Sequence, residues 1–351
     1  MQLTKYKLGD LIVQRREKNK NYDAPIRGVS KEGFIRAKQQ EADTSIYNVF
    51  YKYDFVFNPA RMELNSIALN LEYEKALCSS LYEVFYVKDE NVVLPEFLNL
   101  HIKREEFARH CDYIGLGSAR EYCRFANISE FDIELPPIEV QREIVEADRL
   151  IKRRIRINEQ MIAKLEETAQ ALYRKMFVDG IDKENLPEGW RMGTLGEVCE
   201  IKYGKAHESI PDGSIPIYGS GGIMRFGNKS IYMNESVLIP RKGSLNNITF
   251  VDSPFWTVDT MFYTEMKLSF VAKYVYFNLI QYDFLSMDAG SAVPSMTTAM
   301  LNQIGMIIPT SDVLEQFDNQ VSVLFNQNKI KNKENTKLTE LQSLLLVKMG
   351  Q

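Results

Sequence analysis

The chain has 351 residues, 45% of them hydrophobic and 26% charged, with a net charge of −4. That is enough for two domains with cores of their own, in the composition of an ordinary soluble protein. A run of 18 apolar residues and a charged-then-apolar leader are both missing, which argues against membrane spanning and secretion and for a cytoplasmic protein.

Taken in chain order, the first half predicts a buried strand at 53–57, a helix over 94–110, and a strand at 131–135 that enters Pro136-Pro137. A long helix then runs from about 139 to 177, with Ile144, Ile151, Ile155, Ile162, Leu165, Leu172 and Met176 on its apolar stripe. At about 1.5 Å per residue it would be roughly 55–60 Å long. Gly and Pro punctuate a connector at 179–189. The second half repeats the order: strand 236–240, helix 270–285, strand 304–308, and a helix from 313 to about 349 carrying Phe317, Leu324, Leu338, Leu341 and Leu345. A helix of this length has more stripe than one small domain can cover. The economical solution packs the two long helices on each other, antiparallel if the halves obey a pseudo-twofold; the alternative is two amphipathic helices serving separate domains. The fold class expected is α+β, with two similar mixed domains in pseudo-twofold repeat, separated by two long antiparallel coiled-coil-like helices. The segments are 1–136 (first domain), 137–178 (first long helix), 179–189 (connector), 190–309 (second domain) and 310–351 (second long helix).

The repeat itself is explicit. At a constant offset, 117–176 aligns with 290–349 with 13 identities in 60 positions, Gly117/Gly290, Ser118/Ser291, Pro136/Pro309, Leu165/Leu338 and Met176/Met349 among them; unrelated sequences would give about 3 to 4. Upstream, Leu8-Gly9-Asp10-Leu11 answers Leu195-Gly196-Glu197-Val198, Pro25-Ile26-Arg27-Gly28 answers Pro216-Ile217-Tyr218-Gly219, Val56-Phe57-Asn58-Pro59 answers Val237-Leu238-Ile239-Pro240, Leu64-Asn65 answers Leu245-Asn246, and Phe85-Tyr86 answers Phe262-Tyr263. Apolar and turn positions recur while polar loop residues diverge, as expected of one scaffold presenting two different surfaces. Charge is uneven too: residues 1–38 hold ten Lys/Arg against four Asp/Glu, and residues 202–247 hold six against three. A solvated surface would explain either basic, loop-like stretch alone; the two at corresponding places in a repeat are harder to dismiss.

Catalytic patterns are incomplete. Asn58-Pro59-Ala60-Arg61 resembles the start of an adenine N6-methyltransferase motif but lacks its second proline and its aromatic ring. Gly219-Ser220-Gly221-Gly222 lacks dinucleotide-binding spacing and reads as a turn. Pro211-Asp212 and Glu265-Met266-Lys267, a distant imitation of a nuclease motif, stand in unrelated segments. The nearest approach to a metal set is His110-Cys111 with His101; Cys78, Cys111, Cys123 and Cys199 form no C-x-x-C pair and are expected as reduced thiols. P-loop, nucleophile-elbow and H-E-x-x-H patterns are absent.

Several phrases, in order and doubled, resemble the specificity (S) subunit of Type I restriction-modification systems: Leu135-Pro136-Pro137-Ile138-Glu139-Val140-Gln141-Arg142-Glu143-Ile144, then Leu186-Pro187-Glu188-Gly189-Trp190 with Leu195-Gly196-Glu197-Val198, then Ile215-Pro216-Ile217-Tyr218-Gly219-Ser220-Gly221-Gly222-Ile223. The second long helix departs by starting Pro309-Thr310-Ser311, and the first half has Arg27-Gly28-Val29-Ser30 where the second has its glycine-rich loop. The resemblance implies a non-catalytic subunit that reads a bipartite target in double-stranded DNA, one half per target-recognition domain, and scaffolds two methyltransferase subunits and the restriction-translocase subunits. S-adenosylmethionine, ATP and Mg2+ would belong to those partners and no cofactor to this chain. The alternative is a methyltransferase or nuclease with its own catalytic site and an appended recognition domain. Expected DNA contacts are Lys18, Lys20, Arg27, Ser30, Lys31, Arg61, Asn65, Ser118 and Arg120 in the first domain, and Lys205, Tyr218, Ser220, Arg225, Arg241, Lys242, Ser244, Asn246, Asn247 and Ser291 in the second. Arg241-Lys242-Gly243-Ser244 is the most pointed cluster, two cations followed by a glycine that permits close backbone approach.

Overall fold

The computed structural model describes residues 3–20, 23–37, 43–115, 122–286 and 295–348. The chain divides into two compact units, one of residues 1–157 with 334–351 and one of residues 158–333.

In the first unit the strand Thr4–Lys7 pairs antiparallel with Asp132–Leu135, and a single helical turn, Leu8–Leu11, feeds the strand Ile12–Arg15. Leu8 and Leu11 are buried, so this turn is an apolar plug. The central sheet has four antiparallel strands in the order Ile12–Arg15, Glu83–Val87, Phe55–Phe57, Ile67–Leu69. All of Phe55, Val56 and Phe57 are buried because both faces of the sheet are covered. Phe55 and Phe57 join Phe85, Phe97 and Leu98 on the helix side, with Phe55 and Phe85 stacked at 4.8 Å. Val56 and Val84 face Val29, Phe50 and Ala76 on the other side.

The expected helix over 94–110 is two helices, Pro95–Ile102 and Glu105–Gly115. Lys103 and Arg104 stand at the first C-terminus and Glu105 and Glu106 in the next first turn, so each helix end carries the charge its dipole favours.

The second unit repeats this order. Arg191–Thr194 pairs with Gly305–Ile308, the turn Leu195–Val198 leads into Cys199–Tyr203, and the sheet runs Cys199–Tyr203, Met261–Met266, Ser236–Pro240, Thr249–Val251. The hairpin Asp212–Gly219/Gly222–Gly227 corresponds to Arg27–Ser30/Gly33–Arg36 in the first unit. Each hairpin makes a parallel contact, Ile217 with Trp256 and Ile26 with Leu77. From that shared anchor the first hairpin runs two residues further before turning: its turn is Lys31-Glu32, where the second unit has already turned at Ser220-Gly221.

Strand register fixes which residues are equivalent. Thr4 opposite Leu135 and Arg191 opposite Ile308 reproduce the Leu8/Leu195 and Gly117/Gly290 alignments together. In the central sheet Ile12 pairs Val87 and Cys199 pairs Met266, so Val87 answers Met266, Phe85 answers Thr264, and Phe55 answers Val237. The sequence matches Val56/Val237 and Phe85-Tyr86/Phe262-Tyr263 are therefore displaced by one and by two residues. A displacement of one would move every side chain to the opposite face. The cores agree with the register, since Phe55 and Val237 lie on the helix side of their sheets and Val56 and Leu238 on the other.

The long helices are Ile138–Phe177 and Ser311–Lys348, and the division between the units falls inside both. Within the first unit Arg154 pairs Glu334 at 2.6 Å and Gln342 donates to Asp148 at 2.7 Å. Within the second, Asn328 donates to Glu166 at 3.0 Å and Phe317 packs edge-on against Phe177 at 5.0 Å. Partner numbers fall along one helix as they rise along the other, so the segments are antiparallel in each unit. Each half-helix also docks on a core: Ile144, Val145 and Leu346 on the first, Ala169, Tyr173, Phe177, Leu314, Phe317 and Val321 on the second. That double duty explains why the compact units cut across the segments expected from chain order. Leu341, expected on the stripe, is exposed; its neighbour Gln342 takes the inward place through its bond to Asp148.

Candidate nucleic-acid interface

In the first unit a cleft of about 1290 Å³ opens between the first hairpin, the 3-10 helix Pro59–Leu64 and the turn at Lys103-Arg104. Arg27, Ser30, Lys31, Arg61 and Asn65, five of the expected contact residues, line it together. Arg36, Lys103 and Arg104 line it too and were missed; Arg36 lies directly across the hairpin from Arg27, a pairing visible only once the register is known. Against these cations the lining sets Glu63 and Glu105, so the cleft favours an anion.

Its residues are not equally available. Arg27 is fixed, its guanidinium 4.8 Å from the Tyr73 ring centroid and its Nε donating to the Tyr73 hydroxyl at 2.8 Å. Ser30 takes part in the hairpin turn, Oγ donating to the Gly33 carbonyl at 3.3 Å. Lys31 and Arg61 are exposed. Lys18 and Lys20 do not line the cleft; Lys18 is exposed, with Nζ donating to the Ile46 carbonyl at 3.0 Å, and Lys20 is exposed. Ser118, Arg120 and Ser291 lie outside the described residues.

The second unit gathers its residues around the glycine-rich turn. A Cβ on Gly243, whose φ is +86°, would stand 2.7 Å from Ser220 Oγ, and Asn247 Nδ2 donates to the Ser220 carbonyl at 2.8 Å. The turn and the 241–247 loop thus form one surface, on which Lys242 and Ser244 are exposed. Leu245, fully buried, anchors the loop from beneath. Arg241 lies 5.5 Å over the Tyr203 ring and Lys205 is exposed nearby in sequence to that tyrosine. Three other expected contacts are engaged internally. Arg225 clamps its own loop, donating to the carbonyls of His207 and Ile210 and ion-pairing with Asp212 at 3.3 Å. Asn246 bridges to Asp283 and Phe284. Tyr218 packs against Phe255, and burial, with Asp252 adding to it, raises its hydroxyl pKa.

The enzyme-like fragments have structural uses. Asn58 Oδ1 accepts from Ala60 N at 3.1 Å and Pro59 is buried at the first position of the 3-10 helix, a helix start in place of a base pocket. Asp212 is fully exposed on its hairpin, while Glu265 sits on a strand of the other sheet. Among the described residues no group of three or more His, Cys, Asp or Glu could hold a metal ion. His101 is buried and its pKa is pushed down to about 4, first by burial and then by Arg104, which keeps the ring neutral. All four cysteines are buried and free.

The model of the Type I restriction modification DNA specificity domain matches this sequence twice, over residues 2–167 and 187–340. The chain belongs to that family. Both matches begin at the leading strand of a unit and run into a long helix, so the family domain is the structural repeat described above. The specificity subunit of the HindI Type I restriction enzyme of Haemophilus influenzae is 31% identical over 91 residues, 25% of this chain and only a fifth of that relative's length. A crystal structure of the S subunit of a Type I system from M. genitalium superposes with a TM-score of 0.67 at 17% identity, covering 99% of this chain and 96% of that one. A chain from a study of assembly and conformational transition in a type I restriction-modification system gives 0.51 at 17% identity, covering 99% and 97%. At such identities the superpositions establish a shared fold. No helix among the described residues is long and apolar enough to cross a membrane.

Proposed function

We propose that the chain is the DNA-specificity subunit of a Type I restriction-modification complex, working in the cytoplasm on double-stranded DNA. It reads a split target, one half per unit, and has no catalytic site of its own. The observation that carries this reading is that one scaffold occurs twice with different polar surfaces in corresponding places: a cation-lined cleft at the hairpin of the first unit, and the Ser220–Gly243 loop surface at the hairpin of the second. Exposed cations supply phosphate contacts that position the duplex, and side chains at the turns reach base edges.

The long helices are the scaffold for partners. Leu150, Leu341, Leu344 and Val347 in the first unit, and Met161, Val323 and Ile330 in the second, are apolar helix residues left exposed. We assign them to the docking of two methyltransferase subunits, with the restriction-translocase subunits joining that complex. S-adenosylmethionine, ATP and Mg2+ act on those partners. Incubating the purified chain with duplex DNA, labelled S-adenosylmethionine and Mg2+ tests the reading. The expected result is neither methyl transfer nor cleavage by the chain alone, and sequence-specific methylation once methyltransferase subunits are added. Transfer or cleavage by the chain alone would establish the rival, an enzyme with an appended recognition domain.

A further inference from the structure

The internal repeat supplies its own control for one residue. Asn65 and Asn246 end the loop between the third and fourth strands of their respective sheets, and each backbone carbonyl accepts from the residue two positions on, Ile67 N at 2.9 Å and Ile248 N at 3.0 Å. Their side chains differ in kind. The Asn246 amide is used on both sides, Nδ2 donating to Asp283 Oδ1 at 2.9 Å and Oδ1 accepting from Phe284 N at 2.9 Å. Asn65 Oδ1 is enclosed without any hydrogen-bond partner, and the residue lines the cation-bearing cleft beside Arg61 and Arg27.

Asn65 is left-handed, with φ 54° and ψ 42°, a conformation glycine adopts at less cost. In the second unit the left-handed residue of this loop is Gly243, three positions before Asn246, and Asn246 itself is not left-handed. Asparagine tolerates the left-handed conformation better than other side chains do, so the backbone alone would accept either asparagine or glycine, yet Oδ1 of Asn65 makes no hydrogen bond within the fold. An enclosed carbonyl without a donor is destabilising, and a rotamer change about the Cα–Cβ bond, which moves the amide as a whole, would bring it into the cleft the residue lines. There the amide offers one donor and one acceptor side by side. In the major groove adenine presents the complement, an N7 acceptor beside an N6 amino donor; guanine offers two acceptors, and cytosine and thymine one polar group each.

Building on the DNA-reading role proposed above, we infer that Asn65 reads an adenine in the half-site of the first unit, while Asn246, at the equivalent position, is structural and reads nothing. The full chain, in the complex in which it purifies, is used to select duplexes from a randomised pool. Asn65→Gly keeps the left-handed backbone and removes only the amide. The expected result is a roughly 10- to 100-fold loss of preference at one A·T position, with the other positions and the salt dependence unchanged. Asn65→Asp, which keeps the shape but can only accept, should move that position from adenine toward cytosine. Asn246→Gly should lower the melting temperature and leave every position as it was. Adenine preference retained in both folded Asn65 variants overturns the inference while DNA reading stands. A native chain that enriches no sequence at all removes the DNA-reading role, and the inference with it.

Discussion

Lys242 and Arg241 are adjacent cations at the end of one strand, and the structure gives them different work. Lys242 is exposed at the loop surface. Arg241 lies over Tyr203 at 5.5 Å and reaches the Asp259 carbonyl at 3.4 Å. Lys242→Ala should reduce the slope of log K against log salt by about 1, the loss of one phosphate contact, with stability unchanged. Arg241→Ala should cost about 0.5–1 kcal/mol of stability, the worth of an exposed cation–π contact, and change the slope less. Anisotropy titrations at several salt concentrations decide; an unaltered slope for Lys242→Ala would remove it from the interface. His101 makes a second expectation. Its folded pKa of about 4 lies below the ordinary 6.5, so the unfolded chain binds more protons between those values and stability falls as pH drops from 6.5 toward 4. Urea unfolding of the native chain should lose about 2 kcal/mol between pH 7 and pH 5 from this group, and His101→Gln should remove that part of the dependence. At this scale residue types were legible and roles were not. Arg225 and Asn246 looked as available as Lys242 until their bonds to the carbonyls of His207 and Ile210, and to Asp283 and Phe284, were visible.

At the scale of elements, the turn at Ser220 and the loop at Gly243 stand or fall together. Gly243→Ala would force a left-handed alanine, costing about 1–2 kcal/mol, and drive its Cβ to 2.7 Å from Ser220 Oγ. Faster hydrogen exchange confined to the Ser220 turn and the 241–247 loop, with binding to the second half-site weakened, is the expected outcome; unchanged exchange there would separate the two segments. The sequence made Ser236–Pro240 legible because five consecutive buried residues bounded by turns leave little choice. It hid the break between Pro95–Ile102 and Glu105–Gly115 because apolar spacing continues across Lys103-Arg104, and only the reversal of charge marks the join. It also placed Val56 on Val237, since a valine match outweighs one residue of displacement until strand pairing sets which face is inward.

For the whole molecule, the doubled order of elements was readable from the 13 matched positions between 117–176 and 290–349, because the shared helix and strand cores keep their apolar residues. What each copy contacts was not, since the divergent loops carry that function and nothing in one chain constrains them. The central claim is that each unit reads its own half of a split target. Replacing residues 1–136 by the same segment of another family member, leaving both long helices in place, and mapping methylated sites in cells that carry the partner subunits tests it most directly. The account expects one half of the target to take the donor's sequence and the other half to stay as it was. A hybrid that is folded and active but changes both halves, or neither, would contradict it.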